Sequence, residues 1–259
     1  MIGSDDPLGR ARGLYARRVS PQRMQQMRGL LDESAAETAS LNATTVLCEY
    51  LNRWNDAGPA EVAKAEAAIK EALDLNPRLF RAYFAKGFLC RTRGQHQAAL
   101  DAFDETIRRA PDFARAYAQK GQQLLYLGRF EEAIAEVNTA LAKSPNSAMR
   151  GYFYWVIGRA RFFMQQYPDA ISSLQDSVRN WPNVWYNRLY LVSAHAHSGT
   201  RRAAASRVLR AFDRKFPGYT LARVIDNERA TPDNHPLVVA GRERFHEGLR
   251  RAGMISETE

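Results

Sequence analysis

The sequence predicts an all-α solenoid of about five helix pairs, with one helix before the stack and a capping helix after it. Three observations carry this expectation. Glycines recur at Gly87, Gly121 and Gly158, spaced by 34 and 37 residues, and Pro111, Pro145 and Pro182 recur with the same spacings. Pro77 stands 34 residues before Pro111 and extends the register by one unit. The surroundings of each glycine repeat too: an aromatic four before it (Tyr83, Tyr117, Tyr154), a small residue twelve after it (Ala99, Ala133, Ala170) and an apolar residue four further on (Phe103, Val137, Leu174). A fixed period of roughly 20–50 residues marks stacked units, each unable to bury its apolar face alone.

The elements follow in order. Residues 1–42 read as an N-terminal arm and helix. Positions 1–18 are polar and Arg-rich. Ser20 then caps a helix that has Pro21 at its first position. Met24, Met27, Leu30 and Leu31 form an apolar stripe that suits packing on the first unit or, alternatively, a dimer seam.

The solenoid spans 43–217, in units of about 43–77, 80–111, 114–145, 151–182 and 184–217. In the second, Arg81–Arg93 has apolar residues at helical spacing and stops near Gly94, and Gln97–Ala110 does likewise and stops at Pro111. Gly87 and Ala99 let the two antiparallel helices approach, an aromatic fills the adjoining gap, and proline ends the second helix. The three extra residues of the fourth unit fit the loop from Ser144 to Gly151. The first unit, Ala43–Asn55 with Pro59–Leu75, lacks the glycine and has an irregular Asp56-Ala-Gly-Pro link. In the last, Val184–His197 with Arg201–Lys215, Val192 or Ser193 replaces the glycine, depending on register. Divergent end units are expected because terminal repeats must face water. Residues 218–259 read as irregular up to about His235. A helix from Pro236 to Ala252 follows, capped by Asn234 or His235 and ended by Gly253, and Val239, Phe245 and Leu249 would dock it over the last unit as a lid.

Three blocks carry a family resemblance: Ala82-Tyr-Phe-Ala-Lys-Gly with Ala98-Ala-Leu-Asp-Ala-Phe, Ala116-Tyr-Ala-Gln-Lys-Gly with Glu132-Ala-Ile-Ala-Glu-Val, and Tyr154-Trp-Val-Ile-Gly with Asp169-Ala-Ile-Ser-Ser-Leu. They resemble the tetratricopeptide repeat, whose period is about 34 residues. The resemblance implies a right-handed superhelix that binds other proteins. A second likeness lies in Trp185-Tyr-Asn-Arg-Leu-Tyr-Leu-Val-Ser-Ala-His-Ala, Phe216-Pro-Gly-Tyr-Thr-Leu-Ala-Arg and Glu247-Gly-Leu-Arg-Arg-Ala-Gly. These runs resemble the repeat regions of bacterial class III adenylate cyclases and winged-helix regulators, in which the repeats are the sensory or interaction half. Residues 1–42 fit neither a cyclase domain nor a winged-helix pattern.

The chain has 259 residues, 45% hydrophobic and 25% charged, which excludes a fully disordered protein. No apolar run reaches the ~18–20 residues needed to span a bilayer. The opening Met1-Ile-Gly-Ser-Asp-Asp lacks the layout of a secretory signal. The expectation is a cytoplasmic protein without a membrane partner. Cys48 and Cys90, with no Cys-x-x-Cys pair, read as reduced, mostly buried thiols. The formal charge of +9 raises nucleic acid as a partner, but its distribution disfavours it. Residues 1–31 carry a net +4 and 201–251 a net +6, whereas 32–200 hold nineteen basic and eighteen acidic side chains. The excess reads as solvated basic ends.

Chemistry finds little foothold. His195 and His197 are two apart on one helix and point in different directions, unlike an i, i+4 metal pair. His96 reads as a solvated turn residue, and neither His235 nor His246 joins a motif. No Gly-rich phosphate loop, nucleophile elbow or zinc spacing is present, so no catalytic, cofactor or metal residue is assigned, and the chain reads as a non-enzyme.

The functional signal is the concave groove, lined by the first helix of each pair. Its expected residues are Arg81, Phe84, Phe88 and Arg91; then Arg115, Gln122 and Tyr126; then Tyr152, Trp155 and Arg159; and Tyr190 in the last unit, where the register is looser. Arginines mixed with aromatics are enriched at binding hot spots, and arginine can hold a carboxylate in two parallel hydrogen bonds. The implied ligand is an extended or helical peptide with acidic and apolar residues. The alternatives are that Phe88, Phe162 and Phe163 only pack between helices and that the arginines are solvated. Chaperone-binding members of the family use a lysine and asparagine clamp. Phe84, Phe88, Gln119 and Gln122 stand at those positions, so no chaperone-tail binding is expected. A stand-alone regulatory module and a nucleic-acid binder acting through its basic ends are the competing functions, and a homo-oligomer is left open.

Overall fold

The computed structural model describes residues 21–52, 58–199, 202–229 and 235–256. Among them are twelve α-helices and no strand: α1 Pro21–Asn52, α2 Pro59–Leu75, α3 Phe80–Thr92, α4 His96–Arg109, α5 Ala114–Tyr126, α6 Phe130–Lys143, α7 Arg150–Phe163, α8 Tyr167–Asn180, α9 Trp185–His197, α10 Arg202–Lys215, α11 Leu221–Arg229 and α12 Pro236–Ala252. Helices α1 to α10 stack as five antiparallel pairs in a superhelical solenoid. The first helices of successive pairs, α5 with α7 and α7 with α9, approach more closely than the second helices do, so they line the inside of the curve.

The repeated glycines are where each pair closes. A Cβ on Gly121 would lie 2.6 Å from Val137 Cγ2 and 2.8 Å from the Ala133 carbonyl oxygen, and one on Gly158 would lie 2.7 Å from Leu174 Cγ. On Gly87 it would collide with the Phe103 ring. Ala99, Ala133 and Ala170 are fully buried on the facing helices. Any larger side chain at the glycines would hold the pair apart, and a close-packed interior has no slack to absorb it.

The proline turns are locked by a recurring bond. The Tyr83 hydroxyl donates to the Pro77 carbonyl at 3.1 Å, and Tyr117 does the same to Pro111 at 2.9 Å. In the last pair Arg188 Nη2 donates to the Pro182 carbonyl at 3.2 Å. Arg188 therefore holds the tyrosine position, and Val192, four residues on, holds the glycine position, which resolves the register the sequence leaves open. Between the two helices of a pair the chain turns through a left-handed residue: Gly94 (φ 68°), Gly128 (φ 73°), Gly199 (φ 68°) and, in the fourth pair, Gln165 (φ 62°). Gln165 adopts a backbone conformation that L-residues resist.

Four features depart from expectation. Helix α1 is continuous, so the anticipated boundary at residue 42 falls inside it. Residues 30–52 contain neither glycine nor proline to break the helix, and the hydroxyls of Ser40 and Thr44 bond back to the Ala36 and Ser40 carbonyls, both at 2.8 Å. Helix α11 forms within a stretch that reads as irregular, because Leu221 and Val224 are buried at one-turn spacing. Helix α12 buries Val238, Phe245 and Leu249 and leaves Val239 37% exposed, so its docking face is turned by one residue at its start. It also lies along α9 and α7, inside the curve, rather than across the end of the stack. As expected, it ends on Gly253 in the left-handed region (φ 92°). Ser20, Cys48, Asn234 and the side chains of Met24, Met27, Leu30 and Leu31 lie outside the described residues. Cys90 is buried, which pushes its thiol pKa up.

Two stability measurements test these contacts. Gly121→Val is expected to cost about 1–3 kcal/mol by overpacking and to lower the thermal midpoint, whereas Gly29→Ala, with nothing within 4 Å of the added Cβ, leaves the midpoint unchanged or raises it. Gln165→Gly relieves a left-handed strain of about 1–2 kcal/mol at a smaller entropic cost, so denaturant unfolding should show a gain of roughly 0.5–1 kcal/mol.

Candidate functional site

The inner face is built from a shared register. Arg81, Arg115, Tyr152 and Tyr186 hold one position of the first helices, and Phe88, Gln122 and Arg159 another. Toward α3 the face is aromatic packing overlaid by arginine. Phe84 and Phe88 are each 3% exposed, with Phe84 set edge-on to Phe88 (5.2 Å), Phe103 (5.7 Å) and Phe113 (5.0 Å). Their ring area is thus largely spent between helices. What Phe84 offers outward is covered by the half-buried Arg115, whose guanidinium lies 5.3 Å from its centroid. Arg81 sits 4.9 Å over Phe80, with its Nε 3.7 Å from the Glu37 carboxylate of α1. A partly exposed pair at that distance contributes little.

Toward α7 and α9 the arginines go deeper. Arg91 Nη2 donates to the Tyr126 hydroxyl at 3.3 Å. Arg159 is 5% exposed, and its Nε–H donates to the Tyr190 hydroxyl at 3.2 Å. Its guanidinium lies 5.1–5.6 Å from the ring centroids of Phe163, Tyr126, Trp155 and Tyr190. Burying a charge costs several kcal/mol, and four ring faces at about 0.5–1 kcal/mol or more each offset much of that. Tyr152 donates to the Gln119 Oε1 at 3.2 Å, and its ring lies 5.8 Å from Trp155.

Tyr186 belongs to the same cluster, although the sequence analysis passes over it. Its ring is 4.7 Å from Trp155. Burial, with the neighbouring Tyr152, holds its phenol protonated above the usual tyrosine range, against the pull of Arg91 and Arg159. The available signal was its register with Tyr152, 34 residues earlier. His96 reverses its expected role: it is buried, stacked at 5.0 Å on Tyr126, with Nδ1 3.1 Å from the Gln123 Oε1. A turn position in sequence became an inner-face position because α4 begins at this residue.

Tyr190 does not open to the groove. Phe245 of α12 stacks on it at 4.0 Å and 5°. Ser193 Oγ donates to the Phe245 carbonyl (3.0 Å), His197 Nε2 to the Arg244 carbonyl (2.7 Å) and Arg244 Nη2 to the Phe163 carbonyl (3.0 Å). Gly241 faces Phe163 and Gly248 faces Ser193, both too closely for a Cβ. Helix α12 therefore covers the inner face over the last two pairs and leaves the face from α3 to the start of α7 as the uncovered part. No helix among the described residues is long and apolar enough to cross a membrane.

The chain matches the tetratricopeptide-repeat family over residues 60–114, 91–148 and 156–220. It is 33% identical over 85 residues to Protein FlbA of Caulobacter vibrioides, a match covering 33% of this chain and 14% of that protein. It is 27% identical over 135 residues to the Hsp70-Hsp90 organizing protein of Triticum aestivum, covering 52% of this chain and 22% of that protein. The chain thus spans only a minor part of the length of these relatives. The fold is similar to that of Pseudomonas aeruginosa pilF, with a TM-score of 0.60 and 17% identity over 84% of this chain and 93% of the other.

The seat of α12 can be tested apart from the stack. Gly248→Leu should release α12, so that amide exchange of residues 236–252 rises at least about tenfold, a loss of 1.4 kcal/mol or more, while exchange in α3–α6 stays slow.

Proposed function

Because the chain belongs to the tetratricopeptide-repeat family, we propose that it is a non-catalytic cytoplasmic scaffold whose inner face takes a protein segment bearing acidic and apolar residues. One observation carries the reading: Arg91, Tyr126, Arg159 and Tyr190 form a continuous run of arginine against ring across three successive first helices. Such a surface offers area at low entropy cost together with donors fixed for a carboxylate. The wheat relative's name, an organizing protein for Hsp70 and Hsp90, is in keeping with a scaffold role. Helix α12 would confine the segment to the pairs before α9.

A regulatory module acting on a cyclase or transcription regulator is the second reading, favoured by the run from Trp185 to Ala196. Co-purification with such a protein would select it over a general scaffold.

Arg91 and Arg115 are half-buried at the edge of the packed rings, so they can be reversed without placing a charge in the core. The double variant Arg91→Glu, Arg115→Glu should bind a display-selected acidic–apolar peptide at least about tenfold more weakly, as expected for lost charge-assisted bonds. Its far-ultraviolet circular dichroism should be unchanged. Equal affinity in fluorescence anisotropy would reject the inner face as the binding surface.

A further inference from the structure

Two polar groups on the inner face stand out. Gln122 is fully buried, and neither its Nε2 nor its Oε1 has a hydrogen-bond partner; Trp155 is 8% exposed, and its indole Nε1 likewise has none. Buried polar atoms left unbonded cost about 1–3 kcal/mol each, so natural folds rarely keep three together without a use. These three share one patch. Gln122 and Arg159 hold the same register position on the adjacent helices α5 and α7. Trp155 lies one turn before Arg159, and Tyr126 one turn after Gln122. The Arg159 guanidinium bridges them, 5.5 Å from the Trp155 ring and 5.3 Å from that of Tyr126.

The chemistry of the patch is specific. An amide N–H₂, an indole N–H and a guanidinium all donate, and the cation fixes the sign of the ligand. The surrounding ring faces suit methylenes. The one acceptor, Gln122 Oε1, calls for an N–H donor, which a free carboxylate lacks and a peptide supplies. A chain-terminal carboxylate sits directly on Cα and would draw its own peptide group in among the rings. A glutamate carboxylate stands on two methylenes that the rings can cover, with its backbone N–H left free for Gln122.

Resting on the inner-face reading above, we propose that Gln122, Trp155 and Arg159 form a receptor between α5 and α7 for the side-chain carboxylate of a single glutamate in the partner segment. Gln122 and Trp155 set its specificity, and Arg159 supplies the charge.

Small probes test this without the partner. The full chain, labelled with nitrogen-15, is titrated with N-acetylglutamate α-methylamide while the Trp155 indole cross-peak is followed, identified by its loss in Trp155→Phe. The peak should shift saturably. The N-acetylglutamine counterpart should bind at least about tenfold more weakly, as expected for a lost charged hydrogen bond. N-acetylalanine, which carries only a terminal carboxylate, should also be weaker. Gln122→Leu should weaken the glutamate probe about tenfold and keep or raise the thermal midpoint, since it removes two unbonded polar atoms at similar volume.

An unmoved peak, equal shifts with the glutamine probe, or full affinity in Gln122→Leu would overturn the receptor. Tighter binding of N-acetylalanine would overturn the side-chain assignment. If the receptor fails while Arg91 and Arg115 still govern peptide binding, the inner-face reading stands; if the peak shifts but those arginines do not matter, that reading falls alone.

Discussion

The structure depends on helix pairs that close to backbone contact at three glycines. At Gly121 the facing atom is the backbone oxygen of Ala133, which cannot swing aside as a side chain can. That contact fixes the spacing of α5 and α6, and the equivalent contacts at Gly87 and Gly158 fix the pairs on either side. With the spacing set, each first helix lands beside the next, and residues one period apart form columns along the inside of the curve. The recurring bond from the tyrosine position to the proline carbonyl fixes the angle of entry into each unit, and the last pair keeps it with Arg188 in place of tyrosine. The stack thus tolerates a changed side chain provided that the bond and the close approach survive.

On the inner face the same register gives different outcomes at different depths. Near α3, phenylalanines at the groove positions fill space between helices, and arginine covers them. Near α7, a buried arginine is surrounded by rings and meets tyrosine hydroxyls. The difference follows from what the neighbouring column supplies: Phe103 and Phe113 beside Phe84, but Tyr126, Trp155 and Tyr190 beside Arg159. Helix α12 then divides the surface. By stacking Phe245 on Tyr190 it converts one expected ligand contact into part of the core, and it holds in place the hydroxyl that Arg159 bonds. The C-terminal segment is therefore both the end of the fold and one wall of the candidate site.

Much of this was legible in the residues because it rests on local or periodic constraints. The glycine, alanine and proline spacings reported helix pairing directly, since close approach and helix termination demand those residue types wherever they occur. The arginine and aromatic columns followed by counting along the period. The cyclase-like and regulator-like runs near Trp185 and Phe216, by contrast, occupy the last pair and the segments that pack on it, so their residues serve the stack whatever else they resemble.

What the sequence determined alone was the repeat, the positions where helices must touch and the row of side chains that share a face. Only the tertiary structure decided that α12 folds back along α9 and α7, that Tyr190 lies beneath Phe245, that His96 turns inward, and that Val192 rather than Ser193 continues the glycine column. These outcomes depend on contacts between residues about fifty or more positions apart, or on a one-residue choice of helix face. Hydrophobic spacing within a single helix constrains neither, because several docking arrangements bury the same apolar stripe.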